Sequence, residues 1–365
     1  MRQTQAIIDY LSKSGSQGEL AAKLMTNGRI DPGMLRPFIS PKDNKAYVSV
    51  YKGGDPSKLE NYMNVPVTHA TLRRDEWKHL DEAVLKISET RLGGVQDLID
   101  RGLVYNIGNG LGSTVLETHD ISDALDADVT MDGITRGEND RVNYETTYLP
   151  LPIIHADYEI NARVLAASRN LGNSLDVSMA ERAARKVAQT RENMLFTNTT
   201  FVFGGGTIYS YVNHPDRNQV TLSVGWDDSA KTSRAIKDEV LSLKQAAINA
   251  RHYGPYVLYI PTAYETVLDE DYEDTGTTAT NMTVRERILK ISNILDVKVV
   301  DTLPADNVVL VQMTSDVVRL VRGLPMQNVE WKEEGNLITK YKVMAIEVPQ
   351  VRSDQAGHSG VVHLA

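Results

Sequence analysis

The sequence predicts an α+β fold with a long projecting arm, and three observations predict it. Two segments, about 75–101 and 178–196, carry the apolar stripe of amphipathic helices. Between them the stretch from Asn106 to Ile154 is β-like but supplies no core of its own. From Trp226 onward, helical and strand-like segments alternate.

The middle observation carries the most information. Short β-like runs (Thr114 to Leu116, Asp128 to Met131, Arg141 to Tyr144) are separated by Asp, Gly and Asn. Compact domains rarely hold structureless connections longer than roughly 12–15 residues. The stretch is too rich in Val, Ile, Leu and Tyr for plain disorder. It reads as an extended hairpin that completes its burial on a neighbouring copy of the chain, which points to assembly rather than catalysis.

The remaining elements follow in order. Residues 1–75 read as a mixed arm reaching across subunits, with an ordinary N-terminal subdomain as the other possibility. Ile7 to Leu11 and Leu20 to Met25 look like short helical turns. Residues 28–66 are loop-like, broken by Pro32, Pro37, Pro41, Gly53, Gly54 and Pro56, with one strand-like run at Ala46 to Tyr51. The first helix runs from Asp75, a plausible N-cap, to Arg101. Its stripe is Trp77, Leu80, Val84, Ile87, Val95 and Leu98, and Gly93-Gly94 can bend or interrupt it. The second opens on a capping box, Ser178 to Glu181, and turns Ala180, Ala183, Ala184, Val187 and Met194 to one face. Glu181, Arg182, Arg185, Lys186 and Arg191 fill the rest.

In the alternating region a helix spans Lys231 to Arg251, with Ile236, Val240, Leu243, Ala247 and Ala250 inward. The apolar run Tyr256 to Ile260 reads as a buried strand. Thr262 to Asp269 is a short helix and Asp269 to Thr280 an acidic loop. A capping box at Thr283 to Glu286 opens a helix to Leu295. Strands follow at Val297 to Val300, Val308 to Gln312, Val317 to Arg322 and Tyr341 to Val348.

Composition narrows the function classes. At 365 residues the chain is long enough for two or three domains. The absence of cysteine excludes disulfides, thiolate metal sites and a cysteine nucleophile, and suits a reducing cytoplasm. The first residues show no secretory pattern, and no window approaches 18 consecutive apolar residues, so no membrane span is expected. A net charge of −9 with scattered basic residues argues against binding nucleic acid by neutralising phosphates.

No catalytic, cofactor-binding or metal-ligating constellation survives inspection. Gly108, Gly110 and Gly112 lack the strand-before, helix-after setting of a phosphate loop, and Gly204-Gly205-Gly206 reads as a turn. The acidic run Asp269 to Asp274 fails the calcium-loop pattern. His155 and Asp157 share one face of a strand and can simply hydrogen-bond. His214-Pro215-Asp216 reads as a turn, and His358 and His363 lie in a C-terminal tail without evident partners.

From Leu111 to Phe196 the chain resembles the tailed-phage major capsid proteins of the Hong Kong 97-type fold, in the branch related to the encapsulins. The resemblance rests on an ordered set of residues. It begins with Met131-Asp132-Gly133, Gly137-Glu138, Asp140-Arg141 and Leu149 to His155. It continues through Arg163 to Arg169 and Ala183 to Ala188, then more weakly to the C-terminal strand. It implies an N-terminal arm (1–75) and a peripheral domain (76–112, 154–225 and 336–365) whose spine helix is 178–196. It also implies an extended loop (113–153) and an α/β axial domain (226–335).

As a function, the resemblance implies a major capsid protein. Copies would self-assemble as hexamers and pentamers into an icosahedral shell around double-stranded DNA, in the host cytoplasm and then in the virion. An encapsulin-like compartment enclosing cargo protein is the alternative. Arg136, Glu138, Asp140 and Arg141 on the loop, with Glu181 and Arg185 on the spine helix, become the candidate intersubunit contacts. The implied partners are further copies of the chain, a separate scaffolding protein, a portal, a decoration protein and packaged DNA held without sequence preference. No lysine occurs between Lys86 and Lys186, so the Lys–Asn crosslink from the loop known in some relatives is not expected.

Overall fold

The computed structural model describes residues 36–41, 43–51, 61–67, 72–88, 93–108, 110–121, 131, 144–161, 163, 177–274, 278–331, 338–354 and 356–365. The expected helical turns at 7–11 and 20–25 and most of the β-like runs 128–131 and 141–144 lie outside these residues.

The first strands form a small sheet. β1 (Phe38–Ile39), β2 (Ala46–Tyr51) and β3 (Tyr62–Pro66) run antiparallel, and β4 (Leu72–Arg73) lies parallel to β1. Val48, Val50, Met63 and Val65 are its buried alternate positions.

The expected single helix 75–101 is two helices, α1 (Arg74–Ser88) and α2 (Gly93–Asp100). Asp75 lies inside α1 rather than capping it. The Glu76 carboxylate reaches back instead and accepts from the Arg73 N–H at 2.8 Å, satisfying a donor at the helix start. After β5 (Val104–Asn106) come the hairpin strands β6 (Val115–Ile121) and β7 (Tyr144–Pro150), then β8 (Ile154–Asn161).

The spine helix α3 is Ser178–Phe196, the span expected. Its capping box does not form: Val177 occupies the N-cap and makes no side-chain cap hydrogen bond. A short ribbon follows, β9 (Phe201–Phe203) and β10 (Gly206–Ile208), then β11 (Asn218–Val220) and α4 (Ser233–Asn249). Thr232 caps α4, its hydroxyl accepting from the Ala235 N–H at 3.2 Å. β12 (Tyr256–Pro261) is buried at every position. A single 3-10 turn and α5 (Glu265–Leu268) come next.

The acidic segment is not a loop. β13 (Asp271–Asp274) pairs antiparallel with β14 (Thr278–Thr283). Tyr272 explains the difference: its ring is buried, with Lys237 and Arg287 5.8 and 5.6 Å from its centroid. Cations on the ring offset the run's negative charge and hold it extended. The Thr283–Glu286 capping box forms and opens α6 (Val284–Leu289), shorter than expected. Asn293, at φ 68, turns the chain. Ile294 then enters β15 (Ile294–Val300), parallel to β12, so tertiary pairing overrides helix propensity. β16 (Val308–Gln312), β17 (Val318–Trp331), β18 (Ile338–Val351) and β19 (Val361–Leu364) complete the chain.

Two larger sheets organise the molecule. One has the order β5-β17-β18-β8; α3 packs on β8 and β18. Ala180, Ala183, Ala184 and Val187 meet Tyr158, Tyr341, Val343 and Ala345 there, and small alanines allow the close approach. The other sheet has the order β11-β19-β16-β12-β15. One of its faces packs against Ile236, Val240, Leu243 and Ala247 of α4 and Ile288 of α6. The other face packs against Val95 and Leu98 of α2 and Leu195 and Phe196 of α3. Burial on both faces is why β12 and β16 read as unbroken apolar runs.

The C-terminal segment departs from the expected division. β18 stays with the spine-helix sheet, but β19 pairs parallel with β11 and antiparallel with β16 inside the five-stranded sheet. His363 is therefore a strand residue and not part of a tail.

Candidate assembly surfaces

The extended stretch folds as a hairpin anchored at its root. β6 and β7 pair antiparallel from Val115↔Pro150 to Ile121↔Tyr144. At the root, Leu149, Leu151 and the half-buried Leu116 pack with Ile208, Val321, Leu324, Met344 and Ile346. Beyond it the contacts are polar. The Thr118 and Thr147 hydroxyls meet at 2.6 Å, and the Gln350 side-chain amide donates to Thr118 at 3.4 Å. Tyr148 is 41% exposed, and Met131, further along the arm, is fully exposed at 105%. A two-stranded ribbon with so little apolar backing is marginal by itself.

Against this root lies the β9–β10 ribbon. Gly204 (φ 60) and Gly205 (φ 81) make its turn in the left-handed region that favours glycine. A Cβ on Gly206 would sit 2.0 Å from the Tyr148 carbonyl oxygen, so only glycine lets β10 press this closely on β7. The inner strand is buried at Gly206 and Ile208, whereas the outer strand exposes Phe201 (43%), Val202 (69%) and Phe203 (52%). Sequence reasoning marked only the glycine turn here. The signal it passed over is the absence of Lys, Arg, Asp and Glu from Asn193 through Asn213.

Of the six sequence-derived contact residues, Arg136, Glu138, Asp140 and Arg141 lie outside the described residues. Glu181 is half-buried and Arg185 exposed, both on α3, where a partner can reach Arg185.

The same helix buries two charges, Arg191, which sequence reading left off the apolar face, and Glu192, which it passed over. Arg191 is buried and ion-paired to Glu347, which also accepts from Arg322 Nε at 2.5 Å. Glu192, 1% exposed, accepts from the Gly94 and Val95 N–H groups at 2.8 and 3.1 Å. Burial raises its carboxyl above the usual range, and those two N–H groups and Arg191 pull the other way. Asp97 of α2 then accepts from Arg101 Nε, Lys298 Nζ and the Tyr259 hydroxyl, each at 2.8 Å. Spine helix, α2 and five-stranded sheet are joined by this chain of contacts.

The histidines flagged by sequence have structural partners. His155 Nδ1 lies 3.3 Å from Asp157, both exposed, with Lys342 3.5 Å from the same carboxylate. His214 is buried in the expected turn and accepts from the Asp216 N–H at 3.3 Å. His363 accepts from Arg217 Nε at 3.3 Å and contacts Asn307 Oδ1 at 2.6 Å. His358 pairs with Asp354 at 2.8 Å. Among the described residues no group of three or more His, Asp or Glu is placed to hold a metal ion. No helix among them is long and apolar enough to cross a membrane.

Comparison with known proteins agrees with this architecture. A family model described as a family of unknown function (DUF6260) matches residues 67–364. The type 1 encapsulin shell protein EncA of Myxococcus xanthus (strain DK1622) is 24% identical over 216 residues, 56% of this chain. The match spans 66% of that relative, just under two thirds of its length. Among solved structures, a virus-like particle from Pyrococcus furiosus superposes with a TM-score of 0.57 at 18% identity, covering 79% of this chain and 99% of that one. The capsid of Myoviridae phage XM1 gives 0.55 at 9% identity, covering 73% and 90%. The fold is the Hong Kong 97-type fold that the sequence resembles.

Proposed function

The chain belongs to the family of unknown function DUF6260, and we propose that its role is structural: it is a major capsid protein. Copies join as hexamers and pentamers into an icosahedral shell around the double-stranded DNA of a tailed phage. The observation that carries this reading is the β6–β7 hairpin, which among the described residues has apolar backing only at its root. A lone ribbon of that kind gains its burial from a neighbour. The net charge of −9 fits a wall that encloses DNA without attracting it, the packaging work coming from elsewhere.

In this reading residues 113–153 are the extended loop and 178–196 the spine helix. The five-stranded sheet, with β11 and β19 added to 226–335, is the axial unit. Residues 1–75 clamp neighbouring capsomers. Glu181 and Arg185 contact a partner subunit, as do Arg136, Glu138, Asp140 and Arg141. A separate scaffolding protein, a portal and a decoration protein complete the particle, which is assembled in the host cytoplasm. No catalytic role is assigned.

A second reading, a compartment enclosing cargo protein, is favoured by one observation, the similarity to an encapsulin shell protein. Electron microscopy of the chain expressed alone, with the ratio of absorbance at 260 and 280 nm on the same sample, separates the two. Empty or irregular shells are expected for the capsid, and shells with co-purified protein for the compartment. Monomers alone, even with a crowding agent and a candidate scaffold present, would sink both.

A further inference from the structure

We propose that the recess between the hairpin root and the body of the molecule is a binding site for a neutral polyhydroxylated ligand, one sugar ring in size. The inference does not depend on the shell reading, because one chain supplies every wall of the recess.

The recess has a volume of about 370 Å³, the low end of ligand pockets, which run from about 300 to 1,000 Å³. Tyr148 of β7 forms one wall, Thr207 of β10 and the following Tyr209 another, and the turn His214 to Asp216 a third. The chain just after β18 closes it, where the Ser353 hydroxyl donates to Asp216 Oδ2 at 2.6 Å.

His214 is the most informative of these residues. It is only 6% exposed, and its Nδ1 already accepts from the Asp216 N–H. Burial lowers its pKa, so the ring is neutral and carries its one proton on Nε2. No group among the described residues accepts that proton. A buried donor left unpaired costs about 1–3 kcal/mol, so the recess is built to be filled. The Thr207 and Tyr209 hydroxyls, both half-buried, also lack a hydrogen-bond partner among the described residues. Water can satisfy such groups, and a ligand that displaces it gains only by reproducing its hydrogen bonds.

The ligand class follows from what the walls offer. Arg352 and Asp216 are the charged side chains among the described lining residues, and their charges cancel. Neither a phosphate nor an ammonium group finds a net attraction. The imidazole donates, the carboxylate accepts, and the two free hydroxyls do both, a set that suits other hydroxyls. Two aromatic rings complete the lining. Tyr148 is 41% exposed and stands at the mouth, and the Tyr209 ring lies edge-on to His214 at 5.5 Å. The C–H face of a pyranose packs on such a ring while its hydroxyls reach the polar wall.

Saturation-transfer NMR on the full chain tests this, with the methyl glycosides of glucose, galactose, mannose and N-acetylglucosamine as probes. Transfer to at least one is expected, with a dissociation constant on the order of 1 mM. Tyr209→Phe keeps the ring and removes one hydroxyl; Thr207→Val keeps the shape and removes the other. Each is expected to weaken that glycoside about tenfold, the loss of one hydrogen bond, with thermal unfolding unchanged. A trisaccharide of the same sugar separates the sources. Binding as tight as the glycoside's upholds the site for the end unit of a glycan, and binding of the glycoside alone upholds it for the free sugar. No transfer to any probe would overturn the proposal. So would binding undiminished in both variants, or a preference for inorganic phosphate over every glycoside.

Discussion

The five-stranded sheet and the extended hairpin differ in where their burial is completed. β12 and β16 are buried at every position because helices from the same chain cover both faces. Among the described residues β6 and β7 have apolar backing only at their root, and the outer strand beside them exposes three apolar residues in a row. The first region closes within the chain. The second is left open among the described residues, and in the shell reading its missing contacts belong to another chain. Substitutions in the first should be read in monomer stability, and those in the second in assembly.

The largest expected effect tests the closed region. Glu347→Ala leaves Arg191 buried without its partner carboxylate, which costs about 3–5 kcal/mol. Urea unfolding of the unassembled chain measures it, and a loss below 1 kcal/mol would mean the pair is not desolvated as the structure has it. Leu310→Ala, in the middle of the five-stranded sheet, is expected to cost about 2–5 kcal/mol by the same assay.

Acid should weaken the closed region at one edge. His363 lies at the junction of β19 with β11, and burial with the neighbouring Arg217 lowers its pKa from 6.5 to about 4. Burial also lowers His214, on the other side of Arg217, with Asp216 opposing. A depressed histidine binds its proton more readily when unfolded. Its contribution is therefore intact above pH 6.5 and is lost as pH falls toward about 4, about 2 kcal/mol for His363. Monomer stability measured across that window should fall in the parent and fall less in His363→Asn. Equal slopes would show that the imidazole is not the group responsible. The smallest global effect belongs to the open region. Gly206→Ala forces β10 off β7 and shifts global unfolding by about 1 kcal/mol, the low end for overpacking at a buried position. It is expected to speed amide exchange in 144–150 while 256–260 stays protected; unchanged exchange in both would mean that β10 does not hold the hairpin.

What the sequence made legible follows the same division. The spine helix 178–196 and the strands 46–51 and 308–312 have the expected bounds, because period and burial agree in them. Arg191 was misread because a charged residue on a helix is normally solvated, and its partner, Glu347, comes from a distant chain segment; Glu192, held by the α2 amides, drew no reading at all. β19 was misassigned for a related reason: four residues cannot announce that they will pair with β11 some 140 positions earlier. The exposed outer strand 201–203 left a trace in the sequence, but as missing charge rather than as a motif.

The contacts from Glu192 to α2, and from Asp97 of α2 to Lys298 and Tyr259, carry a geometric consequence. They lock the spine to the five-stranded sheet with bonds that need no neighbour. A five-fold ring and a six-fold ring of identical subunits meet at different dihedral angles. In the shell reading, with that elbow stiff, the change in curvature between the two rings falls to contacts outside this joint, and the same rigid wedge serves both.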